Sequence, residues 1–190
     1  PGLLGLNLMG SGIWGIGFVV VQNRTKKLLK RFAATPMRRS HYLLSFMLSR
    51  LVFLVLEVAA LLLMGWLLFG VKVHGSLLSV GAVSIVGALC FTGIALLVAA
   101  RPRSIEAASG WMNFIMLPMW LLSGSFFSYE RFPESVHPFI QALPLTALND
   151  ALRRVMNDGG SLFACGQELL VLAAWGGISF AVALRIFRWR

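Results

Sequence analysis

The residue types that usually perform catalysis are sparse in this chain and widely separated. Three histidines and two cysteines are scattered among different segments, without the spacing of a metal site. No Gly-x-x-x-x-Gly-Lys-Ser/Thr loop, His-Glu-x-x-His pair or Gly-x-Ser-x-Gly elbow occurs in the sequence. The sequence therefore predicts no catalytic, cofactor-binding or metal-binding residues, and any ATP that the function uses would be bound by another chain.

Two polar residues inside apolar runs are the remaining candidates for chemistry. Glu57 lies near the middle of one run, and Asn113 near the middle of another. Ionisable residues within a membrane are costly and usually face the protein interior, which favours a role in transport or in helix contact. The alternative for Glu57 is structural, with a neutral side chain that hydrogen-bonds a neighbouring helix. The same two interpretations apply to Asn113.

The elements that must position these residues are long and apolar. Of 190 residues, 58% are hydrophobic and 13% are charged, a composition that excludes an ordinary soluble domain. Runs of about 18 or more apolar residues are typical of transmembrane helices. We predict an all-α, polytopic membrane bundle that forms a single domain over residues 1–190. The five predicted transmembrane helices cover residues of about 2–21, 42–70, 77–99, 105–123 and 166–187.

The basic residues alternate from one connection to the next. Thirteen of the 17 lie near the connection 23–41, in the turn with Arg101 and Arg103, or at the C-terminus. Positive charge is retained on the cytoplasmic side of membranes, so these three regions are predicted to be cytoplasmic. A multi-pass protein of the plasma membrane, in a bacterium the inner membrane, explains the net charge of +10 without nucleic acid.

The connection 23–41 contains an amphipathic pattern. At 100° per residue, positions 24–34 place Leu28, Leu29 and Phe32 on one arc and the lysines on the other. Pro36 cannot continue a helix, because it lacks an N–H group. This short basic helix is interpreted either as an anchor on anionic lipid or as a docking surface for another protein.

The segment 124–158 on the opposite side is too long for a plain turn. Its apolar pieces are short and broken by prolines, which predicts re-entrant or interfacial helices, including a helix from Leu145 to Met156. The sequence 157–160, Asn-Asp-Gly-Gly, predicts a turn before the last span.

Two groups of residues resemble the permeases of type-2 ABC exporters. In that family an acidic residue, Arg, two residues and Gly precede an apolar-basic helix that ends in Thr-Pro; Asn23 stands at the acidic position and Lys27 at the glycine position. The family also has Ser-Gly-x-Phe-Phe, then Pro, Pro-Leu-Thr and Ala-Leu-Arg. The matching residues are Ser123 to Phe127, Pro133, Pro144 to Thr146, and Ala151 to Arg153.

This resemblance implies a mechanism and a set of roles. Such permeases have six spans, so the chain would lack the first, and they pair as homo- or heterodimers with two ATPase subunits that bind ATP and Mg²⁺. The helix between spans couples to the ATPase, which implies roles for Arg24, Leu28, Leu29, Arg31, Phe32, Thr35 and Pro36, while Arg101 and Arg103 form the second cytoplasmic turn. The outer gate would contain Gly124, Phe126, Phe127, Pro133 and Pro144.

The predicted function is therefore that of a permease subunit in an ATP-driven exporter, and not of an enzyme. The resemblance implies a substrate such as a drug, a lipid or another amphipathic compound. An ATP-independent carrier or channel is the alternative, and it would require facing polar residues at the midplane or an inverted repeat. A membrane-embedded enzyme would require a cluster of His, Asp or Ser near one face, and the sequence contains none.

Overall fold

The apolar runs form long helices joined by short connections. The computed structural model describes residues 1–28, 39–70, 73–102, 104–125, 133 and 136–187, with only the backbone at Arg39 and Phe69. We number the helices α1 to α7 in chain order. They are α1 (Gly2–Thr25), α2 (Arg39–Phe69), α3 (Leu77–Ala99), α4 (Ile105–Leu122), α5 (His137–Gln141), α6 (Pro144–Met156) and α7 (Gly166–Ile186).

The predicted all-helical class is confirmed, and no strand occurs in the described ranges. Among the residues that the structure describes, four helices are long and apolar enough to cross a membrane: 2–25, 40–68, 77–99 and 162–186. The fourth predicted span also forms a helix, α4, but it is shorter and contains Glu106 and Asn113. The number of five spans stays a prediction.

Serine caps set the starts of two helices. The Ser76 hydroxyl accepts a hydrogen bond from the amide of Leu78 at 3.2 Å, at the start of α3. The Ser104 hydroxyl accepts one from the amide of Ala107 at 3.2 Å, at the start of α4. Each cap satisfies an amide that has no partner within its own helix.

Helix α3 lies at the centre of the bundle, because other helices cover most of its surface. It packs against α1, α2, α6 and α7, and Phe91, Ala95 and Leu96 are fully buried. Its approach to α7 depends on two glycines. A Cβ added at Gly93 would lie 2.8 Å from the carbonyl oxygen of Gly176, and one added at Gly176 would lie 3.0 Å from the Cα of Cys90. Small residues thus bring the two backbones close together, as is typical of helices in membranes.

Helix α6 is the amphipathic element of the segment after α4. It covers 144–156, in agreement with the helix predicted for 145–156, and begins with Pro144 at its first position. It does not lie on the surface: Leu145, Leu148 and Leu152 are fully buried, and the helix contacts α1, α3 and α7. The segment is thereby built into one end of the bundle.

Two predicted boundaries differ from the structure. Helix α1 continues to Thr25, beyond the predicted end at residue 21, so Arg24 belongs to the last turn of this helix. Lys27 then has a φ of 58°, a left-handed conformation that interrupts the helix predicted for 24–34. The physical reason is that Arg24 finds hydrogen-bond partners in other helices, so the polar end of α1 is stabilised by tertiary contacts. Residues 29–38 lie outside the described ranges.

Candidate functional sites at the two ends and inside the bundle

Arg24 is the centre of a cluster at one end of the bundle. Its Nη1 donates to the carbonyl oxygens of Ala99 at 3.0 Å and Pro102 at 2.7 Å, and its Nη2 donates to that of Ala100 at 2.8 Å. The guanidinium carbon also lies 5.7 Å from the ring centroid of Phe187. One side chain therefore joins the ends of α1, α3 and α7 to the turn before α4.

The position of Arg24 is electrostatically favourable. The last carbonyl groups of a helix have no partner within the helix and carry the negative end of its dipole. A guanidinium, with its planar set of five N–H donors, can satisfy several of these oxygens at once. Arg24 thus acts as a cap for α3 that comes from another helix.

Helix α2 enters the same cluster through Tyr42. The amide of Asn23 donates to the Tyr42 hydroxyl at 3.2 Å. The Tyr42 ring lies 5.7 Å from that of Phe187 and 5.1 Å from that of Phe46, measured between centroids. The three basic regions predicted to be cytoplasmic therefore meet at one end of the bundle, which we call the basic end.

Glu57 takes part in an ion pair inside the bundle. Its Oε2 lies 2.6 Å from Nη1 of Arg50, which is seven residues earlier on the same helix. The Ser11 hydroxyl of α1 lies 2.7 Å from Glu57 Oε1 and accepts from Nη2 of Arg50 at 2.7 Å. The side chain of Arg50 is 6% exposed and that of Glu57 15% exposed.

This pair corrects one prediction and extends another. Arg50 was counted among the charges that flank the connection 23–41, but it lies well inside α2. The physical reason is its charge partner, because a buried cation is tolerated when a carboxylate and other acceptors surround it. Positions seven apart share a helix face, so the spacing of Arg50 and Glu57 is the signal that could have revealed the pair.

Asn113 is not part of this group. It is exposed on α4, on a face that also exposes Trp111, Phe114 and Leu117. Glu57 contacts α1, so the structure does not bring together the two polar residues that the sequence singles out. The roles predicted for Asn113 stay untested.

At the end opposite to the basic end, side chains of α6 form hydrogen bonds with the residues that follow α4. The Asn149 amide donates to the Ser125 hydroxyl at 2.7 Å and to the Ser123 carbonyl oxygen at 3.3 Å. The Arg153 guanidinium donates to the carbonyl oxygen of Gly124, which has a φ of 70°. These contacts fix the backbone at the start of the predicted outer gate.

Helix α1 completes this contact from the other side. A Cβ added at Gly5 would overlap Oδ1 of Asn149, so any larger residue would force the Asn149 side chain to move. Within the described part of the chain, Asn149 Oδ1 and Thr146 Oγ1 are buried without a hydrogen-bond partner. Buried polar atoms of this kind lower stability unless water or a ligand satisfies them.

A second charged group joins α6 to α7. Nη2 of Arg154 lies 3.0 Å from Oε1 of Glu168, and its Nη1 donates to the carbonyl oxygen of Ala164 at 2.9 Å. Asp150 lies nearby and contacts Arg153 at 3.4 Å. Burial raises the pKa of Asp150, and Glu168 raises it further, whereas Arg153 and Arg154 act in the opposite direction. The group is thus a set of linked charges at a helix junction.

The structure describes only part of the residues predicted to have a function. Arg24, Leu28, Arg101, Gly124, Pro133 and Pro144 are described: Arg101 is exposed beside the carbonyl groups that Arg24 contacts, Leu28 is half-buried, and the Pro133 carbonyl accepts from the Val136 amide. The others lie outside the described ranges. They are Leu29, Arg31, Phe32, Thr35, Pro36, Arg103, Phe126 and Phe127.

The long apolar helices, the buried ion pair and the built-in helical segment define a multi-pass membrane protein. Comparison with known proteins identifies its class: the model of the ABC-2 type transporter family matches residues 1–157, and the chain belongs to this family. No solved structure is significantly similar to the chain.

Named relatives agree with this assignment. The chain is 26% identical over 138 residues to the inner membrane transport permease YhhJ of Escherichia coli, which covers 73% of this chain and 37% of that protein. It is 24% identical over 170 residues to the putative transport permease YvfS of Bacillus subtilis, which covers 89% of this chain and 68% of that protein. The match thus spans less than two fifths of the length of YhhJ.

Proposed function

We propose that the protein is the permease subunit of an ATP-driven exporter. A separate ABC ATPase would bind ATP and Mg²⁺ and dock on the segment 24–36, and a second permease copy or a homologue would complete the path. The ABC-2 family supports an ATPase partner, and the resemblance given above supports export of an amphipathic compound. This chain would form the path and hydrolyse nothing itself.

The observation that carries the proposal is the contact of Arg24 with the second turn of the basic end. Arg24 is the first residue of the segment 24–36 and is hydrogen-bonded to residues 99, 100 and 102. A displacement of the segment by a docked ATPase would therefore reach α3 and the turn before α4, and not α1 alone. Such a connection is what an ATPase needs in order to move several helices together.

The orientation of the basic end follows from charge. Anionic lipid and the positive-inside rule favour the cytoplasm for the segment 24–36, the Arg101 turn and the C-terminus. Single cysteines at Lys27 and His74 test this orientation with a membrane-impermeant maleimide. The native Cys90 and Cys165 are buried, so they give a low background. We expect labelling at position 74 in intact cells and at position 27 only after lysis; the reverse pattern would contradict the proposal.

Docking is tested by replacing the apolar arc of the segment. The sequence pattern places Leu29 and Phe32 on this arc, so Leu29→Asp with Phe32→Asp should prevent ATPase binding while membrane insertion stays normal. The measurement is co-purification of the ATPase with tagged full-length permease, together with the ATPase activity of the complex.

The matched control is Leu77→Asp with Leu78→Asp. These residues are exposed at the opposite end of the bundle, with 66% and 85% of their surface accessible. We expect the control to bind the ATPase as the wild type does. Normal ATPase binding and activity in the Leu29/Phe32 variant would exclude a docking role for this segment.

A further inference from the structure

A cavity of about 630 Å³ lies between α1 and α2, beside the buried ion pair. Its volume falls within the range of sites for small organic ligands. It opens at the surface of the bundle, because Phe53 and Leu56 on its wall are 63% and 68% exposed. Most of the wall is apolar, and its apolar side chains are Ile16, Val19, Phe46, Phe53 and Leu56.

The polar side chains of the cavity are grouped together. Ser11, Arg50 and Glu57 are linked by the contacts described above, and Ser49 also lines the cavity. Arg50 is 94% buried, and among the described residues no acceptor lies within hydrogen-bond distance of its Nε. A buried N–H group without an acceptor is costly, so a ligand oxygen near Arg50 would be favoured where the side chain turns its Nε toward the cavity.

The backbone of α1 is irregular at this place. Residues Ser11–Ile16 form a π-helix, and Ser11, Gly15 and Ile16 of this segment line the cavity. Single π-helical turns are uncommon and occur frequently at functional sites. The irregular turn, the ion pair and the cavity are three separate features that coincide at one place.

From this coincidence we infer that the cavity is a binding site for an amphiphile without net charge. The ligand would place its apolar part against Phe46 and Phe53, and an oxygen atom that accepts a hydrogen bond near Arg50. The ion pair itself has no net charge. In a medium of low dielectric constant, an anion would compete with Glu57 for Arg50 and a cation would compete for Glu57, so either would leave a charge unpaired.

The inference rests on the proposed transport function in so far as the bound amphiphile is the cargo. Binding itself needs no ATPase. A binding experiment on the permease alone therefore separates a failure of this inference from a failure of the proposed coupling.

The experiment measures photolabelling of full-length permease in nanodiscs of phosphatidylglycerol. Three diazirine-bearing probes with the same alkyl chain are compared: a neutral monoacylglycerol, an anionic fatty acid and a cationic alkyltrimethylammonium. We expect the neutral probe to label peptides that contain residues 11–19 and 46–57 more strongly than the two charged probes. Equal or stronger labelling of these peptides by a charged probe would overturn the ligand class.

A substitution that fills the cavity locates the site. Gly15 lines the cavity and a Cβ added there meets no atom within 4 Å, so Gly15→Leu starts a side chain into the cavity from an open position. Gly177→Leu on α7 is the matched control, because a Cβ there also meets no atom within 4 Å and Gly177 does not line the cavity. We expect labelling by the neutral probe to fall about tenfold in Gly15→Leu and to stay unchanged in Gly177→Leu.

A second variant removes the polar group without leaving a lone charge. Arg50→Met with Glu57→Met should also reduce labelling by the neutral probe, because the hydrogen-bonding groups are lost. Folding of every variant is checked by gel filtration and thermal unfolding. If Gly15→Leu folds and is labelled as the wild type is, or if the control loses as much labelling, the cavity is not the site.

Discussion

The guanidinium of Arg24 donates a hydrogen bond to the carbonyl oxygen of Pro102 at 2.7 Å, although the two residues are 78 positions apart. Arg24 ends α1 and Pro102 lies in the turn between α3 and α4. The contact joins the two basic connections that the charge distribution predicts to be cytoplasmic. It gives the proposed coupling a physical route from one connection to the other.

Two substitutions at Arg24 should distinguish the contribution of its positive charge to stability from that of its planar set of donors. We expect Arg24→Gln to lower the free energy of unfolding by about 1–3 kcal/mol, because buried carbonyl groups lose a charged donor. The stability of Arg24→Lys should lie between that of Arg24→Gln and that of the wild type, because an ammonium group keeps the charge but lacks the planar set of donors. Thermal unfolding of the purified permease in detergent measures both.

The control for Arg24→Gln is Lys26→Gln. Both variants lose one positive charge, but Lys26 is exposed. The control should change stability by less than about 0.5 kcal/mol. Equal effects at the two positions would mean that net charge, and not the contacts of Arg24, determines the result.

The ion pair of Arg50 and Glu57 should show strong coupling. We expect Arg50→Met alone, or Glu57→Met alone, to lower stability by about 3–5 kcal/mol, because each leaves a buried charge without its partner. The double variant Arg50→Met with Glu57→Met should have a stability close to that of the wild type. A double-mutant cycle measured by unfolding in detergent gives the coupling energy. Additive effects of the two single changes would show that the pair contributes nothing as a unit.

The close contact of α1 with α6 should not accept a methyl group. Gly5→Ala would place its Cβ on Asn149 Oδ1, and we expect a loss of about 1–3 kcal/mol from overpacking. Gly10→Ala on the same helix is the control, because a Cβ there meets no atom within 4 Å. It should be neutral or slightly stabilising, since alanine favours helix more than glycine does. Stability is measured by thermal unfolding. If Gly5→Ala loses less stability than Gly10→Ala, α6 does not pack closely against α1 at Gly5.

Asp150 should make the stability depend on pH. Its pKa is raised, chiefly by burial, so ionisation destabilises the folded protein; this cost is present above the raised pKa and disappears as the pH falls to the ordinary value of 3.8. We therefore expect Asp150→Asn to raise the melting temperature at neutral pH and to lose this advantage in acid. The exposed Asp158, changed to Asn, should have little effect at either pH. A melting-temperature difference for Asp150→Asn that grows in acid would contradict the assignment.

Four of the helices were predictable because their apolar runs are long enough to cross a bilayer. The run 77–99 was predicted with the observed bounds, since Ser76 caps its start and the turn at Arg101 and Pro102 follows its end. The end of α1 was not predictable from composition. The residues Gln22, Asn23 and Arg24 look like the start of a polar connection, and only contacts with distant helices keep them helical.

The candidate sites were also predictable only in part from the sequence. Glu57 was singled out from sequence because an acid within an apolar run is unusual, but Arg50, counted with the charges that flank the connection 23–41, was not predicted to be its partner. Lys27 stands where the resembling family has glycine, and its positive φ supplies a physical reason for that glycine. The cavity beside Ser11 had no signal in the sequence, because it depends on a π-helical turn and on the distance between two helices.

Site-specific photocrosslinking from the basic end tests the central claim most directly. A photoreactive amino acid is placed at Leu28, and separately at Leu78 near the opposite end of the bundle, in full-length permease expressed in its native host. The account predicts a covalent product between position 28 and a chain that contains a phosphate-binding loop, and none from position 78. A product from position 78, or none from position 28 in correctly inserted protein, would contradict the account.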